Sequence, residues 1–220
     1  MKLKDNSLFA RLESVKTTVV NAQGHPRIRE ALLKYGYKEN RFKHGDNLYK
    51  AAYKLYEYQK EKYLEQLQAT EVFQKTRSGA KKSYMANVKI ARVALREDIS
   101  AVEKLELPGI RKVDFSLWLV QAKSFYNGAL ETPAILEKLK TYGLTRERLK
   151  AGLALVKKAE TARERRERAR ADARKATKER NKAIRKAEMW RSDLIAIARV
   201  ALTEINSIQL MEALGVTIPS

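Results

Sequence analysis

The chain has no cysteine, and its 220 residues include only four prolines, nine glycines and two histidines. Each shortage removes a class of protein. Without cysteine there is no disulfide framework, zinc–thiolate site, iron–sulfur cluster or thiol nucleophile. So little glycine and proline cannot supply the tight turns of a strand-rich fold. The histidines are His25 and His44, and positions 22 and 41 before them are Ala and Arg. Neither forms a Glu-x-x-His pair, the ligand pattern of a di-iron bundle. No Gly-x-Gly-x-x-Gly or Walker-type loop is present to cradle a phosphate. These gaps lead to the expectation of a non-catalytic protein with no metal and no cofactor.

Long apolar runs are missing too. A membrane span needs about 20 apolar residues, and the best stretch, Leu194 to Leu202, is short and contains Arg199. No apolar leader segment follows Met1-Lys2-Leu3-Lys4-Asp5-Asn6. The expected location is therefore the cytoplasm, away from membranes.

What is abundant is Ala, Leu, Lys, Arg and Glu, the strong helix formers. Hydrophobic residues make up 44% of the chain and the net charge is +20, a balance that draws polyanions from a distance.

Shifted by 107 positions, the chain matches itself without a gap from Pro26 to Leu95. Pro26 falls on Pro133, Ile28 on Ile135, Leu32 on Leu139, Tyr35-Gly36 on Tyr142-Gly143 and Gly45 on Gly152. Ile90-Ala91-Arg92-Val93-Ala94-Leu95 falls on Ile197-Ala198-Arg199-Val200-Ala201-Leu202. Such a register marks an internal duplication. The expected domains are residues 1–109 and 110–220, packed as one bundle about a pseudo-two-fold axis, as two subunits of a homodimer would be.

Each copy reads as short helices followed by one long helix. Pro26 and Pro133 suit a first helical turn, and Gly36 and Gly143 suit the left-handed residue that ends a helix. Thr132 is expected to cap the second short helix and Thr145 the second long one. Between Gly152 and Gly215 neither Gly nor Pro occurs. Leu155, Ala159, Ala162, Arg166, Ala169, Ala173, Ala176, Arg180, Ala183, Ala187, Trp190, Leu194, Ile197 and Ala201 alternate four and three apart, as in a coiled-coil seam. The spacing predicts one helix of roughly 60 residues. A hairpin is the rival, suggested only in the first copy by Thr76-Arg77-Ser78-Gly79. Before each copy, Asn6 or Ser7 can cap a helix carrying Leu8, Leu12, Val15 and Val19. Asp114 can cap another carrying Leu117, Val120, Ala122 and Phe125-Tyr126. Leu107-Pro108-Gly109 is expected to be the hinge between copies. The fold class is thus all-α, an elongated antiparallel bundle or coiled coil of two pseudo-symmetric repeats.

Leu-x-x-Tyr-Gly, a long Ala-rich stretch, Ile-Ala-Arg-Val-Ala-Leu and a closing Leu214-Gly215, together with Phe125-Tyr126-Asn127, resemble an uncharacterised family of bacterial tandem-repeat helical proteins. The resemblance covers most of the chain and implies its architecture, but that family brings no activity or site. The high Arg and Lys content departs from it.

Two features invite a binding role. The run from Lys157 to Glu188 includes Arg163, Arg165, Arg166, Arg168, Arg170, Arg174, Lys175 and Lys178, the candidate polyanion-binding set. Interspersed acids, such as Glu164 four residues before Arg168, also fit a solvated helix face. Tyr49, Tyr53, Tyr56, Tyr58 and Tyr63 among lysines could stack bases, but their helical spacing points first to packing against a partner helix. Gly45 and Gly152 lie within helix, where they allow close approach. The expected role is a scaffold or oligomerisation module with itself or another protein as partner. The alternative is sequence-nonspecific nucleic-acid binding.

Overall fold

A computed structural model describes the backbone of residues 2–217 and the side chains of residues 7–217. All regular structure among them is helical. In chain order the helices are α1 (Lys2–Gly24), α2 (Pro26–Lys34), α3 (Glu39–Ala94), α4 (Ile99–Lys104), α5 (Phe115–Glu131), α6 (Pro133–Lys140) and α7 (Arg146–Glu204), followed by a 3-10 helix, Ile208–Leu214. The long helices run unbroken for 56 and 59 residues. Gly79 stays helical within α3, so the hairpin is not formed.

Starts and stops repeat with the sequence. α2 begins at Pro26 and α6 at Pro133, each 107 positions apart like the starts of α3 and α7. The ends of α2 and α6 close alike. Tyr37 N–H reaches Leu32 C=O and Leu144 N–H reaches Leu139 C=O, both at 3.1 Å, with Gly36 at φ 79° and Gly143 at φ 72°. A side chain at that φ would be strained, which is why glycine occupies both sites.

The caps correct several expectations. Asp114 does cap α5, accepting from Ser116 N–H at 2.9 Å and Leu117 N–H at 3.1 Å. Thr145 accepts from Arg148 N–H at 3.3 Å. Thr132 makes no such bond, and its hydroxyl is buried without a partner. His25, at the matching position before α2, likewise leaves a buried Nδ1 unpartnered. Ser7 lies inside α1, which starts at Lys2, so it caps nothing; the Asn6 side chain is outside the described residues. The Leu107-Pro108-Gly109 segment is pinned where a hinge was expected. Arg92 donates to Leu107 C=O at 2.7 Å and Gly109 C=O at 2.9 Å, and Arg111 donates to Pro108 C=O at 2.5 Å.

Contacts divide the chain into two compact units, residues 1–63 with 172–220 and residues 64–171. A repeat in sequence and a unit in space are therefore different divisions. Each unit takes the leading part of one long helix and the trailing part of the other. The physical reason is that a straight helix cannot fold onto itself, so each half must bury its apolar face against other elements.

In the first unit the partners run antiparallel: Phe42 shares a core with Leu194 and Ala198, while Ala52 and Tyr56 share one with Ile184 and Ala187. In the second, Asn87 lies against Arg148 and Phe73 against Arg166, again antiparallel. That core is more aromatic. Tyr84 meets Trp118 and Phe125 edge-on, with ring centroids 6.0 and 5.6 Å apart. Burial pushes the Tyr84 and Tyr126 hydroxyls above the usual phenol range.

Half of the expected α7 seam is buried: Ala159, Ala162, Ala173, Ala176, Ala187, Leu194 and Ala201. Leu155 is exposed and Val156 is buried instead.

Candidate interaction surfaces

Gly45 and Gly152 lie under aromatic rings. A Cβ on Gly45 would stand 2.2 Å from Trp190 Cζ2, and one on Gly152 would stand 2.4 Å from Tyr126 Oη. The long helices are thereby held close to their neighbours.

Several grooves among the described residues are open to solvent. One of about 490 Å³ in the first unit is lined by Tyr37, Arg41, His44, Trp190, Asp193, Ala196 and Ile197. It brings one histidine and one carboxylate to the same wall, yet no hydrogen bond joins them. Burial raises the Tyr37 hydroxyl above its usual range, with Arg41 opposing. Among the described residues no group of three His, Asp or Glu is placed to hold a metal. Three carboxylates are held below the ordinary range by neighbouring donors: Asp98 by Lys138 and the Ala101 N–H, Glu147 by its own backbone N–H and Thr145, and Glu167 by Arg166.

The eight cations singled out in the sequence separate into two kinds. Arg163 and Arg166 are half-buried. The Arg163 guanidinium lies 5.3 Å from the Phe115 ring centroid and donates to Ser116 Oγ at 2.6 Å. Arg166 lies 4.4 Å from the Phe73 centroid and pairs with Glu167. Their heads are engaged in packing the second unit. Arg165, Arg168 and Arg170 in that unit, and Arg174, Lys175 and Lys178 in the other, are exposed. Arg168 keeps Glu164 at 3.7 Å, the expected surface pair.

The tyrosines also divide. Tyr56 is buried, while Tyr53 and Tyr58 are exposed. Tyr49, Tyr53, Tyr56 and Phe9 follow one another with centroids 6.0–6.4 Å apart and planes tilted by 36–42°. Tilted rings at that spacing are packed against each other, which leaves no parallel slots for bases.

The outer side of α5 carries two of the apolar residues expected on that helix, Leu117 and Val120. They are 57% and 67% exposed, and nearby Ile110 and Val113 are 91% and 75% exposed. The inward positions are Phe115, Trp118, Gln121, Ala122, Phe125, Tyr126 and Ala129. The helix is apolar on both sides, so periodicity alone could not say which side meets the core. The usable signal was the sequence 107 positions earlier: Ile110, Val113, Leu117 and Val120 fall on Leu3, Asn6, Ala10 and Glu13, so the run of large aliphatic side chains is not repeated.

Among the described residues no helix is long and apolar enough to cross a membrane. Comparison with family models, curated proteins and solved structures gives no match, which agrees with an uncharacterised family. The functional reading therefore rests on this chain's own surfaces.

Proposed function

We propose that this is a non-catalytic helical scaffold of the cytoplasm that associates with protein, a second copy of itself first of all, through the outer side of α5. The supporting observation is the exposed apolar strip Ile110, Val113, Leu117 and Val120. A folded domain that keeps large aliphatic side chains together in water usually covers them with a partner. The strip is not repeated 107 positions earlier in the chain, where Asn6 and Glu13 stand. Open grooves and carboxylates held low by salt-bridge donors agree with a binding role.

Light scattering across a wide concentration range tests this reading. The wild type should show a concentration-dependent oligomer, and Leu117→Glu with Val120→Glu should return it to a monomer with unchanged helix content. A wild type that stays strictly monomeric at high concentration would rule out self-association. A variant that oligomerises like the wild type would move the interface elsewhere.

A further inference from the structure

The exposed cations of α7 suggest a second kind of contact, independent of the α5 strip. Within the first unit, Arg174, Lys178 and Arg185 stand four and seven residues apart, on one side of the helix, and all are exposed. Asp172 and Glu179 fall roughly 100° or more around the helix from them. No carboxylate among the described residues pairs with any of the three.

At Arg185 this row meets a groove of about 470 Å³ between α1 and α7, lined by Ser7, Leu8, Arg11, Arg180, Asn181, Ile184 and Arg185. Arg11 is bonded there to Glu188 at 2.5 Å, and Arg180 donates to Gln59 Oε1 at 2.5 Å. The groove thus gathers the guanidiniums of Arg11, Arg180 and Arg185. The duplication shows that the fold does not call for these charges: the positions matching 174, 178 and 185 are Leu67, Glu71 and Ser78.

We infer that this row and groove bind the phosphate backbone of a nucleic acid without reading its sequence. The row spans about 16 Å along the helix, enough to follow several phosphates of one strand, which succeed one another about every 3.4 Å along a duplex axis. Guanidiniums match phosphate geometry with paired donors. An anionic membrane fits less well. An interfacial helix needs an apolar side to insert, and α7's apolar side here is buried in the core, with no large apolar residue exposed between 172 and 186.

Fluorescence anisotropy of the full chain with short duplexes of several sequences tests this. Binding should be alike for all sequences and weaken about 40-fold between 50 and 200 mM salt if three phosphates are neutralised. Arg174→Glu, Lys178→Glu and Arg185→Glu together should abolish binding at the higher salt and flatten the log–log salt slope by about 2.7. The control is Lys81→Glu, Lys82→Glu and Lys89→Glu, an equal change of net charge at exposed positions of α3, which should retain the wild-type slope within one unit. Circular dichroism checks that both variants stay helical. The proposal falls if the control loses as much affinity as the test variant, or if binding does not change with salt. It also falls if phosphatidylglycerol vesicles are held as tightly as duplex and released by the same three substitutions.

Discussion

In both compact units a glycine inside a long helix lies beneath an aromatic ring, but the rings come from different places. Trp190 of α7 covers Gly45, whereas Tyr126 of α5 covers Gly152. The residue matching Trp190 is Ser83, and the residue matching Tyr126 is Val19. One unit therefore fills the notch from its long helix and the other from its short one. In the second unit Ser83 hydrogen-bonds the Tyr126 hydroxyl. A similar exchange occurs one contact further along. Arg180 donates to Gln59 in the first unit, and at the matching positions Arg166 stacks on Phe73. What the two units share is an aromatic ring over a helical glycine. Which chain segment supplies it has been free to change, as expected when cores tolerate swaps that keep total volume.

The comparison breaks most severely at Tyr126. Tyr126→Ala removes a fully buried ring and its 3.1 Å bond from Asn87 Nδ2. Urea denaturation should show a loss of about 3–5 kcal/mol; a loss below about 1 kcal/mol would mean that the notch closes without its ring. The glycines come next. Gly45→Ala and Gly152→Ala should each destabilise by about 1–3 kcal/mol through overpacking, less up to about 1 kcal/mol regained in helix propensity. Gly79→Ala, with nothing near its Cβ position, should change sign and stabilise α3 by about 0.5–1 kcal/mol. Replacing Tyr126 by Val, the residue of the first copy, should relieve the strain of Gly152→Ala. If all three alanine substitutions behave alike, ring contact is not what fixes glycine at 45 and 152.

The smallest effect is at Asp98, whose matching residue is Ile205. Its carboxylate is bonded to Lys138 and caps α4 at Ala101 N–H, so its pKa is lowered. A depressed folded pKa stabilises above the unfolded value, near 3.9, and the benefit fades as pH falls through the folded pKa. The stability gap between wild type and Asp98→Asn should therefore be present at neutral pH and shrink in acid. A gap that does not vary with pH would assign the effect to the hydrogen bond alone.

Much of this could be read along the chain because it depends on local chemistry. Pro26, Pro133, Gly36 and Gly143 mark helix ends through their own backbone preferences. The absence of Gly and Pro after Gly152 announced an unbroken α7. Gly45 and Gly152, out of place in a helix, announced close approach. The failures lie where distant segments decide. That Arg163 and Arg166 are occupied depends on Phe115 and Phe73, which arrive from α5 and α3. α5's orientation depends on which of two apolar sides finds the core first. Which halves of the long helices come together is set by non-local contacts, which leave no periodic trace.

The two units also differ in how much chain must exist before they can close. Residues 64–171 are contiguous, and a representative side-chain bond there, Arg148 to Asn87, joins positions 61 apart. The other unit joins residues 1–63 to residues 172–220, and its Arg11–Glu188 bond joins positions 177 apart. On a ribosome the middle of the chain can gather its aromatic core while α1 and α2 still wait for partners not yet synthesised. The apolar sides of those first helices stay wet longest, so translation speed and chaperone supply should matter most for residues 1–63.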